Sequence, residues 1–171
     1  MAWTTPKTWS AGETLTAANF NTHIRDNLNA IGAHQRIRKT VTESLSSNTT
    51  LQDDDHLLFA VAANEVWAWQ SVVSVTCDAS GGIKFTFTAP SGATGHWNYR
   101  TPAPVGSSGG PAFTTTTAHT VTMTSGPHDL SGVVVNGATP GNITFQWAQQ
   151  ASSGAATQVL VDSFLIAHRI A

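Results

Sequence analysis

Over most of the chain, apolar and polar residues alternate with a period of two, which is the pattern of half-buried β-strands. The alternation is clear over 85–88, where Phe85 and Phe87 alternate with Thr86 and Thr88. Gly, Pro, Asn and Ser fill the segments between such runs, as expected of turns. We therefore predict an antiparallel β-sandwich over 36–171, and the strand number fits a double-sheet jelly roll. The predicted strands cover 36–43, 55–62, 65–77, 83–88, 96–100, 113–124, 130–136, 142–149 and 158–170.

The first 35 residues follow a different pattern and form a separate part, 1–35. Trp3 and Trp9 flank Pro6 in a polar stretch that we expect to be an extended arm. Apolar residues then recur at helical spacing without Gly or Pro, which predicts one short amphipathic helix capped by Thr14 or Thr16. Because such a helix is marginal alone, it must pack on its own β-domain, on a neighbouring copy or on a larger assembly. Its apolar stripe consists of Phe20, Ile24, Leu28 and Ile31.

The composition excludes several classes of protein. Asp, Glu, Lys and Arg make up only 11% of the residues, against about 25% in a typical soluble domain, and 25 Thr and 15 Ser take their place. A net charge of −2 gives no basic field for nucleic acid. No apolar run reaches the ~20 residues that a membrane-spanning helix needs. We expect neither nucleic-acid binding nor membrane insertion, and a surface poor in charge fits a chain covered by copies of itself.

The sequence offers little catalytic chemistry. Asp53, Asp54 and Asp55 precede His56, but consecutive residues point in different directions and EF-hand spacing is absent. We interpret this cluster as a solvated turn. The His residues form no metal-binding motif, no GxSxG motif is present, and a single Cys77 excludes an internal disulfide. We predict no enzyme activity, no catalytic residue, no metal and no cofactor.

Aromatic residues give one candidate ligand site. Trp97 and Tyr99 alternate on a short predicted strand with loop-rich flanks, and Asn98 and Arg100 are their polar neighbours. Aromatic rings on a β-sandwich can stack on a sugar while polar neighbours bind its hydroxyl groups. These four residues are therefore the candidate glycan contact. The alternative is that the rings pack in the core or between subunits, where they bury large apolar areas.

The N-terminal segment resembles that of a known family. Residues 9–28 fit the pattern W-x-x-G-E-x-L-T-A-x-x-x-N-x-x-x-R-D-N-L at every fixed position. This pattern is similar to a segment common at the N-termini of tailed-bacteriophage virion proteins, usually minor tail or tail-fibre proteins. The segments at 51–64, 143–149 and 163–170 are similar in style to the β-rich modules that follow it. Such modules resemble trimeric jelly rolls of the tumour-necrosis-factor or complement-head kind.

The resemblance implies a non-enzymatic virion protein, assembled in the host cytoplasm, with other tail or capsid proteins as partners. The N-terminal part would dock the chain and the β-domain would project from it. A host-attachment module would also bind host cell-surface glycan. The alternative is a capsid decoration or cement protein that stabilises the shell, and the absence of a long shaft favours it. The expected docking residues are Trp3, Trp9, Leu15, Phe20, Ile24, Leu28 and Ile31.

The last predicted strand is the expected subunit interface of a homotrimer. Residues 158–170 include stretches that are apolar on both faces, so one apolar face remains after the core is built. Closed symmetric oligomers bury the same patch on each copy. We expect Leu160, Leu165, Ala167 and His168 to meet near the threefold axis.

Overall fold

The structure is a computed structural model that describes residues 4–31, 34–100, 108–112, 119–121 and 125–171. The chain divides into two compact units, one of Met1–His34 with Ala171 and one of Gln35–Ile170. Within the described ranges, no helix is long and apolar enough to cross a membrane.

In the first unit a helix follows an extended stretch, as predicted. Thr16 is its N-cap, because the Thr16 hydroxyl accepts a hydrogen bond from the Asn19 backbone N–H at 3.2 Å. The helix consists of α1 (Ala17–Phe20), a π-helical turn (Asn21–Arg25) and α2 (Asp26–Ile31).

The second unit is a sandwich of two antiparallel sheets, so the predicted fold class is confirmed. The described strands are β1 (His34–Arg38), β2 (Glu43–Leu45), β3 (Gln52–Val61), β4 (Val66–Thr76), β5 (Ile83–Thr88), β6 (Thr94–Arg100), β7 (Ser108–Ala112), β8 (His119–Val121), β9 (Gly126–Val135), β10 (Gly141–Ala148), β11 (Thr157–Val159) and β12 (Phe164–Arg169). The larger sheet has the order β1-β12-β4-β9-β6-β7, with β11 pairing β4 and β2, and the smaller sheet has the order β3-β10-β5-β8. The chain alternates between the sheets twice. It passes from the smaller sheet to the larger and back at β3, β4 and β5, and again at β8, β9 and β10, as in a double-sheet jelly roll.

Aromatic side chains dominate the core between the sheets. Trp147 and Phe145 on β10 are 0% and 1% exposed. Phe87 lies with its ring centroid 4.4 Å from that of Trp69 and 5.4 Å from that of Phe145. These contacts join β4 of the larger sheet to β5 and β10 of the smaller one. Because aromatic side chains bury large areas, they supply a core that spans both layers.

Two predicted strands are each divided in the structure. The segment 36–43 covers the end of β1 and the start of β2. The two strands are separate because the Lys39 backbone leaves the ladder: its N–H donates to Ser163 O at 2.7 Å and its carbonyl accepts from Asp162 N at 2.9 Å. The segment 158–170 covers most of β11 and all of β12, separated by a turn in which Asp162 has a φ of 70°. Of the predicted strand 113–124, β8 lies within the described residues.

Candidate functional site

Polar contacts hold the N-terminal arm against its own helix. The Asn27 side-chain oxygen accepts from the Thr4 N–H at 2.9 Å, and its amide nitrogen donates to the carbonyls of Thr4 at 2.8 Å and His23 at 3.2 Å. The Lys7 ammonium pairs with Glu13 and lies 4.9 Å from the centroid of the Trp9 ring. The arm and the helix therefore form one small unit in which none of the apolar side chains that the structure describes is buried.

The predicted docking residues of this unit are largely in contact with solvent. Leu28 is 62% exposed, Leu15 54%, Phe20 44% and Trp9 38%, while Ile24 is half-buried. Large apolar side chains grouped in solvent are typical of interaction sites. The remaining two predicted docking residues, Trp3 and the side chain of Ile31, lie outside the described residues.

The candidate glycan contact is not assembled as predicted. Trp97 and Tyr99 are only 2% and 7% exposed, and both ring centroids lie 5.8 Å from that of Phe85 in the core. Asn98 and Arg100 are exposed on the opposite face of β6, since neighbouring residues of a strand face opposite ways. The prediction of an exposed sugar platform is wrong, because β6 lies between β9 and β7 with its aromatic face inward.

The predicted subunit interface also needs correction. Leu165 and Ala167 are both 0% exposed and belong to the core of their own chain. Leu160 is half-buried in the turn before β12, where its N–H donates to Ser74 O at 2.9 Å. His168 is exposed on the other face of β12. The predicted set therefore combines both faces of the strand, and the outward apolar residues are Phe164 and Ile166, at 37% and 41% exposure.

The outward face of the larger sheet extends this apolar strip across three strands. Ladder register places Phe164 beside Val72, Ile166 beside Gln70, and His168 beside Ala68. On the far side of β4, Ala68 faces Val133 and Val66 faces Val135. We call these residues the outer face; its members are Phe164, Ile166, His168 and Ile170, then Val66, Ala68, Gln70 and Val72, then Asp129, Ser131, Val133 and Val135. Asp129 is the only Asp, Glu, Lys or Arg among them.

The acidic cluster is not a solvated turn, because it lies on strand β3. Asp53 and Asp55 are exposed, but Asp54 between them is buried. The Lys39 ammonium, itself 0% exposed, lies 2.8 Å from Asp54 Oδ2 and also donates to Glu43. The ring of His56 reaches Thr40 Oγ1 at 3.0 Å and Glu43 Oε1 at 3.5 Å. Lys39 and Glu43 were not predicted as members of this cluster, since a lysine in a polar segment is normally solvated.

Carboxylate and imidazole atoms of this cluster have the spacing of metal ligands. Glu43, Asp54 and His56 each offer one ligand atom, and these atoms lie within 4.8 Å of one another. The Lys39 ammonium, however, already binds two of the three groups. A cation of the chain itself therefore occupies the position that a metal would take.

His128 is a second buried polar group of the β-domain. It is 2% exposed on β9, and both ring nitrogens lie buried without a hydrogen-bond partner in the described structure. Burial lowers the pKa of His128 to about 4, and the neighbouring Asp129 charge opposes this only in part. The imidazole is therefore neutral at physiological pH and serves as core packing.

Comparison with known proteins gives two similar solved structures. No family model and no curated protein matches the chain. The tripod (BppUct-A-L) from the baseplate of bacteriophage Tuc2009 is similar at 10% identity and a TM-score of 0.34, covering 98% of this chain and 79% of that one. A structure of infectious bursal disease virus, Gt strain, is similar at 10% identity and a TM-score of 0.22, covering 81% of this chain and 38% of that one. Both TM-scores are below those of proteins that share a fold.

Proposed function

We propose that this chain is a non-enzymatic structural protein of a bacteriophage particle, docked by its N-terminal segment and presenting the β-sandwich to the outside. One observation carries the proposal: the segment that fits the virion pattern holds its backbone by its own hydrogen bonds and exposes Leu15, Phe20 and Leu28. Such a segment gains most of its stability by burying these side chains on a partner. Other virion proteins are the partner that the pattern indicates.

Incorporation into particles tests this docking role. Leu28 is 62% exposed, so Leu28→Asp should leave the chain folded while weakening an apolar contact with the partner. Thr22→Asp, an equally charged change at an exposed position of the same helix, is the matched control. Phage complemented with each variant are purified and the protein is quantified. We expect loss of incorporation for Leu28→Asp alone; equal incorporation of both variants would contradict docking through this face.

Within the particle, the resemblance favours a minor tail or tail-fibre module that binds host cell-surface glycan. One structural observation favours capsid decoration instead: Trp97 and Tyr99, the aromatic residues proposed for glycan binding, are buried. The two roles differ in copy number, because a tail tip holds few copies and a shell lattice holds many. Quantifying this chain against the major capsid protein in purified particles separates them, and binding to host cell walls would support the tail role.

We further propose that the β-domain assembles with itself, as a homotrimer, through the outer face. The face covers about 15 Å by 20 Å, from strand spacing and rise, which is within the size range of the largest apolar patch on a typical soluble protein, and such patches are often functional. Further copies of this chain are the occupants that fit, because the face is almost free of charge and the same patch of each copy can meet around a threefold axis. A partner with a charged surface would leave its charges unpaired against Phe164 and Ile166.

Sedimentation of the purified chain tests this assembly. Ile166 is 41% exposed, and Ile166→Asp places a charge within the face, on β12 beside Gln70. The control Asn142→Asp adds the same charge at an exposed position on β10 of the smaller sheet. We expect a trimer for the wild type and the control, and a monomer for Ile166→Asp. A monomeric wild type at high concentration would overturn self-assembly, and a trimeric Ile166→Asp would overturn the assigned face.

A further inference from the structure

A buried lysine joins the two sheets at one edge of the sandwich. Lys39 directly follows β1 of the larger sheet, and Asp54 lies on β3 of the smaller sheet. Both side chains are 0% exposed, and Lys39 Nζ lies 2.8 Å from Asp54 Oδ2. Ammonium and carboxylate groups are almost never fully buried unless they are paired, and leaving water costs several kcal/mol for each ion. The arrangement therefore holds two reactive groups in contact and away from bulk water.

Two backbone N–H groups donate to the Asp54 carboxyl group, and both donate to the same oxygen. Its Oδ1 accepts from the N–H of His56 at 3.0 Å and from the N–H of Leu57 at 2.9 Å, whereas Oδ2 faces the amine of Lys39. Two fixed N–H groups on one carboxyl oxygen stabilise the negative charge that builds there when a nucleophile adds to the carboxyl carbon. The local backbone of β3 thus supplies an oxyanion hole.

The backbone of Lys39 is fixed from the opposite side. Its N–H donates to Ser163 O at 2.7 Å and its carbonyl accepts from Asp162 N at 2.9 Å, both in the turn before β12. Glu43 on β2 accepts from the same Nζ, and its Oε1 is also held by the Asp55 N–H at 3.2 Å. Holding reacting groups in one geometry removes much of the entropic barrier between them. Hydrogen bonds to the backbone thus help to position the amine, the carboxyl and a second carboxylate.

We propose that Lys39 and Asp54 form an intramolecular isopeptide bond between Nζ and Cγ, with Glu43 as the group that transfers the proton. This inference does not depend on the proposed virion role. It makes the cluster a self-modification site that covalently joins the two sheets.

The reaction balances with the groups present. Glu43 accepts one proton from the Lys39 ammonium, and the freed electron pair on Nζ attacks Asp54 Cγ. The charge that develops on Oδ1 is stabilised by the N–H groups of His56 and Leu57. Glu43 returns its proton to Oδ2, which also takes a second proton from nitrogen and leaves as water. The bond between Cγ and Oδ2 breaks, and the new bond between Nζ and Cγ remains. The positive charge of Lys39 and the negative charge of Asp54 disappear together, and Glu43 is regenerated as a carboxylate.

Intact mass spectrometry of the purified, denatured chain tests the bond. We expect the wild type to be lighter than its sequence by one water molecule. A tryptic digest should contain the peptide 39–84, uncleaved after Lys39 and closed into a loop between Lys39 and Asp54, because the sequence offers trypsin no other site between these two residues. Lys39→Arg should have its full sequence mass, whereas the control Lys84→Arg, on β5, should keep the water loss. A wild type at full sequence mass overturns the proposal, whatever the variants do.

Two further variants separate this bond from other losses of water. Asp54→Asn should release ammonia instead and reach the same final mass as the cross-linked wild type, because the product amide is identical. Dehydration at another aspartate would leave Asp54→Asn still lighter by water, which contradicts the assignment. Glu43→Gln should retain its full mass; a cross-linked Glu43→Gln would overturn the role of Glu43 in proton transfer.

Discussion

Folding stability between neutral and mildly acidic pH should depend on His128. The folded chain holds this imidazole in the core, where burial lowers its pKa to about 4 from 6.5. The unfolded chain therefore binds a proton at a higher pH than the folded chain does. Protons bound by the unfolded state alone reduce the free energy of unfolding as the pH falls.

The size of the effect follows from the two pKa values. The full difference is worth about 3 kcal/mol, and it is lost between pH 6.5 and about 4. Below that range the folded chain also takes up the proton, and the loss stops. Between about pH 7 and about pH 5 we expect the free energy of unfolding to fall by about 2 kcal/mol. That is a large share of the 5–15 kcal/mol typical of a domain.

Urea unfolding followed by Trp fluorescence measures this dependence, at one fixed protein concentration because assembly also shifts apparent stability. His128→Leu replaces an unpaired ring with an apolar side chain, so it should remove the loss and leave stability near pH 7 equal or higher. His96→Leu, at an exposed position of β6, is the control and should keep the wild-type slope. A His128→Leu variant with the wild-type slope would refute the reasoning.

Three other changes test the packing and the polar contacts. Phe85→Ala removes a ring that is 2% exposed and contacts Trp97 and Phe145, and it should lower the free energy of unfolding by about 3–5 kcal/mol. Leu15→Ala, at a position that is 54% exposed, should lower it by less than about 0.5 kcal/mol. Equal losses of stability in thermal unfolding would contradict the assignment of Phe85 to the core. Gly132→Ala should lower the free energy of unfolding by about 1–3 kcal/mol, because a Cβ there would lie 2.7 Å from His96 O and 2.8 Å from the side chains of Trp69 and Trp97. An unchanged melting temperature would contradict this prediction and show that β9 can move to make room. Burial raises the pKa of Glu65, but hydrogen bonds from Arg169, Ala62 N and Trp67 Nε1 outweigh it and hold the pKa below 4.5. Glu65→Gln should therefore cost about 1 kcal/mol of stability at neutral pH and should lose less stability than the wild type as the pH falls below 4.5. Parallel curves of stability against pH for the two proteins would argue against this contact.

Periodicity in the sequence predicted the sandwich but not which face of β12 is buried. Phe164, Leu165, Ile166 and Ala167 are all apolar, so a period of two cannot choose between the faces. The choice depends on register with β4, which places Leu165 opposite Ser71 and Ala167 opposite Trp69 on the core side. The assignment of Leu165 and Ala167 to a subunit interface failed for this reason.

Long-range pairing also explains the two other errors. The polar neighbours and loop-rich flanks of Trp97 suggested an exposed edge, but β6 pairs with β9 along its whole length and turns its rings inward. Lys39 lies in a polar segment, yet contacts with Ser163, far along the chain, carry its side chain into the interior. Neither contact leaves a signal in the local sequence. The helix itself was predictable because its formation depends on nearby residues alone, while the docking role of its exposed side chains stays a prediction.

The shortage of charge has a definite place in the structure. Many of the described charged groups pair within the chain, among them Lys39 with Asp54 and Glu43, Arg38 with Asp162, and Arg169 with Glu65. The outer face, by contrast, offers Phe164, Ile166 and a row of valines to the outside. In a chain of which only 11% of the residues are charged, the outer face therefore carries almost no charge. Thr and Ser keep the rest of the surface hydrated. Because that surface has little charge to screen, salt should strengthen association through it rather than weaken it.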